Sequence, residues 1–274
     1  MQSRAMQEMG PMATLHAAAL DGRDYLPYFS DLERQEILGT RNGKRRRERV
    51  AGRLAAKFLF LQHHSALGVE QGKLMHLTAA HLERFTEAQY RSAAVFRNEE
   101  ICAGLPQICW SDRAATAKDA RTVAITHTDG LACAFLGTED PVAVDLESAE
   151  TRAPVFYAGN FTARERSWAA ECSERLNLDL HWTFTFLWGV KECLLKTPWF
   201  RDLSIADLPS MDVRITSGEE QLVYPHAARE FLAGFVFLKA EVADRSRNVS
   251  VNLAVSGRHD LVLTAVTAVQ RRIV

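Results

Sequence analysis

The most restrictive feature of this sequence is a strict alternation of side chains near its C-terminus. Val249, Val251, Leu253 and Val255 are separated by single polar or small residues. Successive side chains of a strand point to opposite faces, so this pattern predicts an antiparallel sheet with one covered face. Stretches with strand character predict further strands at residues 211–215, 221–224, 235–242 and 261–269.

Other parts of the chain have helical periodicity. The spacing from Ser30 to Glu33 is that of a capping box and predicts a helix over 31–38. Apolar residues at helical spacing predict helices at 44–63, 78–96, 162–176 and 182–196. A turn at Asp129-Gly130 predicts a hairpin of strands 122–126 and 131–136, and residues 1–24 are expected to be a loosely held lead-in. The predicted fold class is α+β.

Length and composition limit the classes of protein. With 274 residues, 47% of them hydrophobic, the chain forms one or two domains, or one domain of two similar halves. The net charge of −1 excludes a global field that recruits nucleic acid or an anionic membrane. Five scattered cysteines and short apolar runs predict neither a disulfide framework, export nor a membrane span, so the expected location is the cytoplasm.

One segment departs from this balance. Residues 41–57 contain eight basic side chains and a single acidic one, and Arg45, Arg49, Arg53 and Lys57 recur every four positions. Such a stripe is either a solvated helix face or a site for a polyanion, such as a phosphorylated cofactor or nucleic acid. Periodicity does not choose between these interpretations.

A second unusual feature is a pair of carboxylates on one strand. In residues 142–147 the side chains of Asp145 and Glu147 share a face at a spacing of about 7 Å, and no basic residue lies between Glu139 and Glu150. Oxygen ligands at this spacing suit a hard divalent ion such as Mg²⁺. An exposed strand end with two solvated carboxylates is the alternative, and the pattern alone leaves both open.

Common nucleotide-binding and hydrolase motifs are absent from the sequence, but four shorter motifs follow one another in order. They are Thr126-His127-Thr128, Val144-Asp145-Leu146-Glu147, Phe161-Thr162-Ala163-Arg164-Glu165 and Trp188-Gly189-Val190-Lys191-Glu192-Cys193-Leu194-Leu195-Lys196. In this order the chain resembles the 4′-phosphopantetheinyl transferases, specifically their larger, surfactin-synthetase-type branch. Ala143, the two threonines and Leu105 depart from the family pattern, in which a Gly, two serines and a phosphate-contacting lysine are usual.

The resemblance implies a fold and an organisation. It implies two similar α/β halves related by a pseudo-twofold axis, each with a small antiparallel sheet and packed helices, and an active site in the cleft between them. Residues 1–140 would contact the nucleotide and phosphates of coenzyme A, and residues 141–274 would carry the magnesium-binding carboxylates and the catalytic helix. A chain of this length resembles the monomeric members of the family.

The resemblance also implies an activity. The phosphopantetheine arm of coenzyme A would move to a serine of an acyl or peptidyl carrier protein, with release of 3′,5′-ADP, in fatty acid, polyketide or nonribosomal peptide biosynthesis. Nucleic acid and membranes would not be partners. The implied site comprises Asp145, Glu147 and Glu192 as Mg²⁺ ligands, Glu192 and Lys196 as catalytic residues, and Arg45, Arg53, Thr126, His127, Lys191 and Lys196 as coenzyme A contacts.

Two points stay open at this level. Glu165 is a second candidate for the general base beside Glu192. Leu105, which replaces the expected lysine, allows the alternative of a non-catalytic module that binds coenzyme A or a carrier protein. The retained Asp145, Glu147, Glu192 and Lys196 favour the enzyme.

Overall fold

The computed structural model divides the chain into two compact units, Ser3–Asp140 and Pro141–Val274. It describes residues 10–65, 68, 74–97, 106–111, 120–137, 143–200, 202–229, 235–244 and 247–271. Within these residues no helix has the length and apolar character needed to cross a membrane. The architecture is mixed α+β, with one sheet in each unit.

The first unit packs a long helix against a mixed sheet of order β2-β1-β6-β5-β4-β3. Its only parallel pair among the described strands is β1 with β2, and the remaining neighbours are antiparallel. The strands are β1 (Met12–His16), β2 (Leu74–Leu77), β3 (Ala93–Arg97), β4 (Pro106–Trp110), β5 (Arg121–Thr128) and β6 (Leu131–Leu136). The helices are α1 (Asp31–Leu38), α2 (Gly43–His63), α3 (Ala79–Leu82) and α4 (Glu87–Ser92), with 3₁₀ turns at Ala17–Leu20 and Leu26–Tyr28.

The second unit packs its longest helix against an antiparallel sheet of order β7-β11-β10-β9-β8. The strands are β7 (Ala143–Ser148), β8 (Asp212–Ser217), β9 (Val236–Ala243), β10 (Asn248–Arg258) and β11 (Leu261–Arg271). The helices are α5 (Pro154–Asn160), α6 (Ala163–Leu176), α7 (Leu180–Leu195) and α8 (Val223–Ala227), with 3₁₀ turns at Pro198–Phe200, Ile205–Ser210 and Glu219–Leu222.

The strand orders of the two units correspond. Without β2, the first sheet reads β1-β6-β5-β4-β3, and the second reads β7-β11-β10-β9-β8, so the first strand of each unit pairs with the last. In each unit a capped helix and then a long helix follow the first strand. The two units therefore build their sheets with the same connectivity.

Each unit also contains a buried lysine–glutamate bridge. In the first, Lys57 of α2 donates to Glu33 Oε2 at 2.7 Å and to the carbonyl oxygens of Tyr28 and Tyr90, and both charged side chains are at most 1% exposed. The other oxygen of Glu33 accepts the N–H of Val95 in β3 at 3.2 Å. Burial lowers the pKa of Lys57 to about 8, although the charge of Glu33 opposes that shift.

The second unit repeats this bridge. Lys191 of α7 donates to Glu165 Oε2 at 2.8 Å and to two carbonyl oxygens, and both side chains are fully buried. Glu165 Oε1 accepts the N–H of Val213 in β8 at 2.8 Å. Glu33 and Glu165 each occupy the third position of a helix whose N-cap is a Ser or Thr. A Phe precedes the N-cap in both cases, as Phe29-Ser30 and Phe161-Thr162. The bridge ties the long helix of each unit to a helix N-terminus and to an edge strand.

Several sequence predictions are confirmed by these elements. The capping box from Ser30 to Glu33 is present at the start of α1, and α2, α6 and α7 begin and end within two residues of their predicted limits. Asp129 and Gly130 both have positive φ, 46° and 78°, which is the backbone of a tight hairpin turn and suits glycine at the second position. Cys109, Cys133, Cys172 and Cys193 are buried thiols.

Other predictions are wrong. Residues 1–24 were expected to be a loose lead-in, but they contain β1, which lies between β2 and β6 inside the sheet. The prediction failed because the short run Met12-Ala13-Thr14-Leu15 has no periodicity that indicates a strand. A single helix was predicted over 78–96, but its last part belongs to a strand that covers residues 93–97. Residues 221–224 were predicted to be a strand and are helical. The sheet of the first unit is mixed, not antiparallel, because β2 joins β1 in parallel.

The buried bridge gives a prediction about stability. Replacing Lys57 with Met leaves the Glu33 carboxylate buried without its cation, which costs about 3–5 kcal/mol of unfolding free energy. Urea unfolding followed by circular dichroism measures the loss, with Lys44→Met as the control, because the pair of Lys44 with Asp129 is exposed and contributes at most about 1 kcal/mol. A loss of the same small size for both variants would contradict the role of the bridge.

Candidate metal centre

A strand and a helix of the second unit bring three carboxylates together. Asp145 and Glu147 lie at alternate positions of β7 and face the same side, opposite Thr264 and Val262 of β11. Glu192 lies on α7, which packs against both strands. One carboxylate oxygen from each of the three lies within 4.8 Å of the others.

Two cations contact this cluster. The Lys196 ammonium lies 2.7 Å from Asp145 Oδ1 and 3.7 Å from Glu192 Oε2, and it also donates to the carbonyl oxygen of Val144. The Arg152 guanidinium lies 3.0 Å from Glu147 Oε2. No basic residue lies between Glu139 and Glu150, but the fold supplies two cations from outside that stretch, so the repulsion between the carboxylates is partly relieved without a metal.

One oxygen of the cluster is left without a partner. Asp145 is 3% exposed, and its Oδ2 is buried and accepts no hydrogen bond from any described residue. A buried unpaired carboxylate oxygen is costly and marks a place where a cation or water is expected. Gly189 permits α7 to approach here, because a Cβ at this position would lie 2.9 Å from Thr264 Oγ1 and 3.6 Å from Asp145 Oδ2.

The electrostatics of the cluster shift its proton affinities. Burial, with the charges of Asp145 and Glu192 added, raises the pKa of Glu147 to about 7. Burial and the charge of Asp145 also raise the pKa of Glu192, against the opposing charge of Lys196. Burial alone would lower the pKa of Lys196, but the surrounding carboxylates outweigh it and raise that pKa. Both glutamates therefore hold protons more readily than exposed glutamates do.

The donor set fits a hard divalent cation. It consists of carboxylate oxygens from three side chains, and one of these side chains, Asp145, also carries an unpaired buried oxygen. Carboxylate oxygens are ligands that hard cations such as Mg²⁺ prefer, whereas soft metals prefer sulfur. In the part of the chain that the structure describes, this is the one group of three or more His, Cys, Asp or Glu side chains at metal-binding distance. The structure supports a cation site here and does not select Mg²⁺ over other hard cations.

Two of the residues singled out from the sequence lie apart from this cluster. Lys191 was expected to contact coenzyme A, but its ammonium is fully buried and donates to Glu165, to Asn160 O and to Leu208 O. An ammonium has three protons, so none remains for a phosphate. Glu165, the alternative base, accepts from Thr162, Lys191 and Val213, and these contacts serve the bridge.

The other expected contacts belong to the first unit. Arg45 is exposed near the start of α2, and Thr126 of β5 is buried.

Two of the expected coenzyme A contacts have carboxylate partners. Arg53 is mostly buried and pairs with Glu36, and His127 Nδ1 lies 3.1 Å from Glu48 Oε2. Lys57, which shares the basic stripe with Arg53, is a core residue. Leu105 lies outside the described residues.

Sequence reasoning missed two side chains at these places. Arg152 follows Glu147 by five residues in a segment without periodicity, so only the turn of the chain after β7 reveals its contact. Glu48 could have been found, because it is the one acidic residue among the eight basic residues of 41–57. A single opposite charge in such a segment indicates a specific partner.

Comparison of the whole chain with protein-family models gave no match, and neither did comparison with curated proteins.

The raised pKa of Glu147 predicts competition between protons and metal. The folded state holds this proton up to about pH 7, whereas an exposed glutamate loses it near pH 4.5, so this group stabilises the metal-free fold at low pH and that contribution is lost as the pH rises through 7. Mg²⁺ requires the ionised carboxylate. Mg²⁺ should therefore raise the melting temperature more at pH 8 than at pH 5.5.

Differential scanning fluorimetry at the two pH values, with and without millimolar Mg²⁺, tests this expectation. The Glu147→Gln variant is the matched comparison, since it has no proton to exchange at this position. Its pH-dependent difference should be smaller than that of the wild type, and the remainder belongs to Glu192, whose pKa is also raised. An equal effect of Mg²⁺ at both pH values in the wild type would count against the assignment.

Proposed function

We propose that this protein is a Mg²⁺-dependent 4′-phosphopantetheinyl transferase that transfers the phosphopantetheine arm of coenzyme A to a serine of an acyl or peptidyl carrier protein. The observation that carries the proposal is the meeting of Asp145, Glu147 and Glu192 with the Lys196 ammonium at one point of β7 and α7. A site that holds both a cation-binding cluster and a fixed ammonium suits the transfer of a phosphate-linked group from a pyrophosphate to an alcohol.

In this proposal Asp145, Glu147 and Glu192 hold the magnesium ion. When bound, the ion would neutralise charge on the pyrophosphate of coenzyme A and make the phosphorus easier to attack. Lys196 is already paired with Asp145, so its position is fixed before a substrate arrives. Its ammonium can then stabilise the negative charge that develops on the leaving phosphate. This stabilisation is effective because a preorganised cation needs no reorientation during the reaction.

The transfer step needs a base as well. The carrier serine oxygen forms a bond to the β-phosphorus, the bond from that phosphorus to the oxygen of 3′,5′-ADP breaks, and the serine proton goes to a carboxylate. Glu192 is the proposed acceptor, because its carboxylate lies in the cluster beside Asp145, Glu147 and the Lys196 ammonium. Glu165 is not, since its carboxylate is engaged in the buried bridge.

The proposal assigns the nucleotide end of coenzyme A to the first unit. Arg45, Arg53, Thr126 and His127 would contact its phosphates, and Arg53 would exchange Glu36 for a phosphate oxygen. It includes the finer arrangement that the family resemblance implies, with two halves related by a pseudo-twofold axis, coenzyme A in the cleft between them, a monomeric state and a cytoplasmic location.

The test is incubation with coenzyme A, Mg²⁺ and an apo carrier protein, followed by intact mass measurement of the carrier. Asp145→Ala and Glu192→Gln should each lose about a hundredfold or more in rate, because a ligand that supports transition-state charge is worth several kcal/mol. Glu174→Gln is the control, since Glu174 is exposed on α6 and carries the same charge. Its rate should equal that of the wild type.

Two outcomes would contradict the proposal. Transfer at near wild-type rate by Asp145→Ala or Glu192→Gln would remove these residues from the chemistry. Coenzyme A binding by the wild type without transfer to any carrier tried would favour the non-catalytic binding module instead.

A further inference from the structure

The single acidic residue of the basic segment has a defined place in the first unit. Glu48 lies on α2 and is 4% exposed, although its neighbours at 44–47 and 49 are all basic and most of them are exposed. A buried carboxylate is costly unless both of its oxygens are used. Its contacts therefore indicate why it is there.

Both oxygens of Glu48 meet the β5–β6 hairpin. Oε1 accepts the N–H of Gly130 at 2.9 Å, and Oε2 lies 3.1 Å from Nδ1 of His127. Among the described residues, the ion pair recorded for Glu48 is with this imidazole and not with an arginine of its own helix. Lys44 lies one helical turn before Glu48, and its ammonium is 3.2 Å from Asp129, the neighbour of Gly130 in the hairpin turn. The start of α2 thus fixes the hairpin and, within it, one ring nitrogen of His127.

A carboxylate at one nitrogen of a histidine determines what the other can do. Nδ1–H donated to Glu48 sets the ring orientation, and a ring that also donates from Nε2 is the imidazolium, which has an N–H on both nitrogens. The His127 side chain is 36% exposed, so the ring is accessible from solvent. A cavity of about 350 Å³ lies beside Glu48 and Gly130, and its other charged or titratable lining groups are His16, Asp21, Lys44, Arg47 and Asp129.

We propose that Glu48 is a positioning residue for coenzyme A binding, which holds the His127 imidazole so that Nε2–H donates to a phosphate oxygen. This inference rests on the proposed function, because it takes the phosphate to be that of coenzyme A. A glutamate placed only for helix stability would not need the contact with His127. Glu48 itself does not touch the substrate and acts through the imidazole.

The test compares Glu48→Gln with the wild type by two measurements. A glutamine keeps the size and can still accept from Gly130, but its amide N–H₂ then faces His127 and makes Nδ1 an acceptor. Long-range ¹H–¹⁵N spectra of the ring should show Nδ1 protonated in the wild type and unprotonated in the variant. Titration calorimetry with coenzyme A should show a dissociation constant about tenfold higher in the variant.

Glu83→Gln is the control, because it removes the same charge from the same unit at an exposed pair with Arg23. Its coenzyme A affinity and the His127 ring spectrum should match those of the wild type. If Glu48→Gln does not fold, Glu48→Asp is measured instead, once in the wild type and once together with His127→Gln, with His127→Gln alone as the reference. The aspartate should lower the affinity for coenzyme A only where the imidazole is present.

The outcomes separate this inference from the proposed function. Unchanged protonation of His127 in Glu48→Gln, or unchanged affinity with a wild type that binds coenzyme A, overturns the role of Glu48. A wild type that does not bind coenzyme A overturns the proposed function instead, and the ring spectra still decide whether Glu48 orients His127.

Discussion

The buried lysine–glutamate bridge is the interaction on which the arrangement of each unit depends. Lys57–Glu33 and Lys191–Glu165 each connect a long helix to a capped helix and an edge strand, with the charges removed from water. Such a pair contributes little net stability compared with apolar residues, but it permits only one alignment of the helix, because any other leaves a charge unpaired. We interpret the bridges as devices that fix how each long helix lies on its sheet.

This alignment explains why the acidic cluster forms where it does. Glu192 follows Lys191 directly and Lys196 lies five residues beyond it, so fixing Lys191 also fixes both on the side of α7 next to β7. The first unit has Phe58 and Gln62 at the same distances from Lys57. The bridge is therefore a feature of the shared connectivity, and the chemistry of the second unit comes from the residues added beside it.

Local patterns predicted the elements whose signals are local. The capping box at Ser30, the Asp129-Gly130 turn and the shared face of Asp145 and Glu147 all follow from spacing within a few residues. The place of β1 in the sheet and the contact of Lys196 with Asp145 depend on residues distant in the chain. The contact of Arg152 with Glu147 spans only five residues, but it depends on how the chain turns after β7. Lys191 and Glu192 show what a local motif does not predict. They are adjacent in one motif, but Lys191 belongs to the buried bridge and Glu192 to the acidic cluster.

The central claim is that Asp145, Glu147 and Glu192 form a cation site. Anomalous diffraction from crystals grown with Mn²⁺, which accepts the same oxygen ligands, tests it most directly. We expect one strong peak at about 2.0–2.3 Å from an oxygen of each carboxylate, including Asp145 Oδ2. A structure at saturating Mn²⁺ with no peak at these side chains, and with Lys196 and Arg152 still their only cations, would contradict the claim.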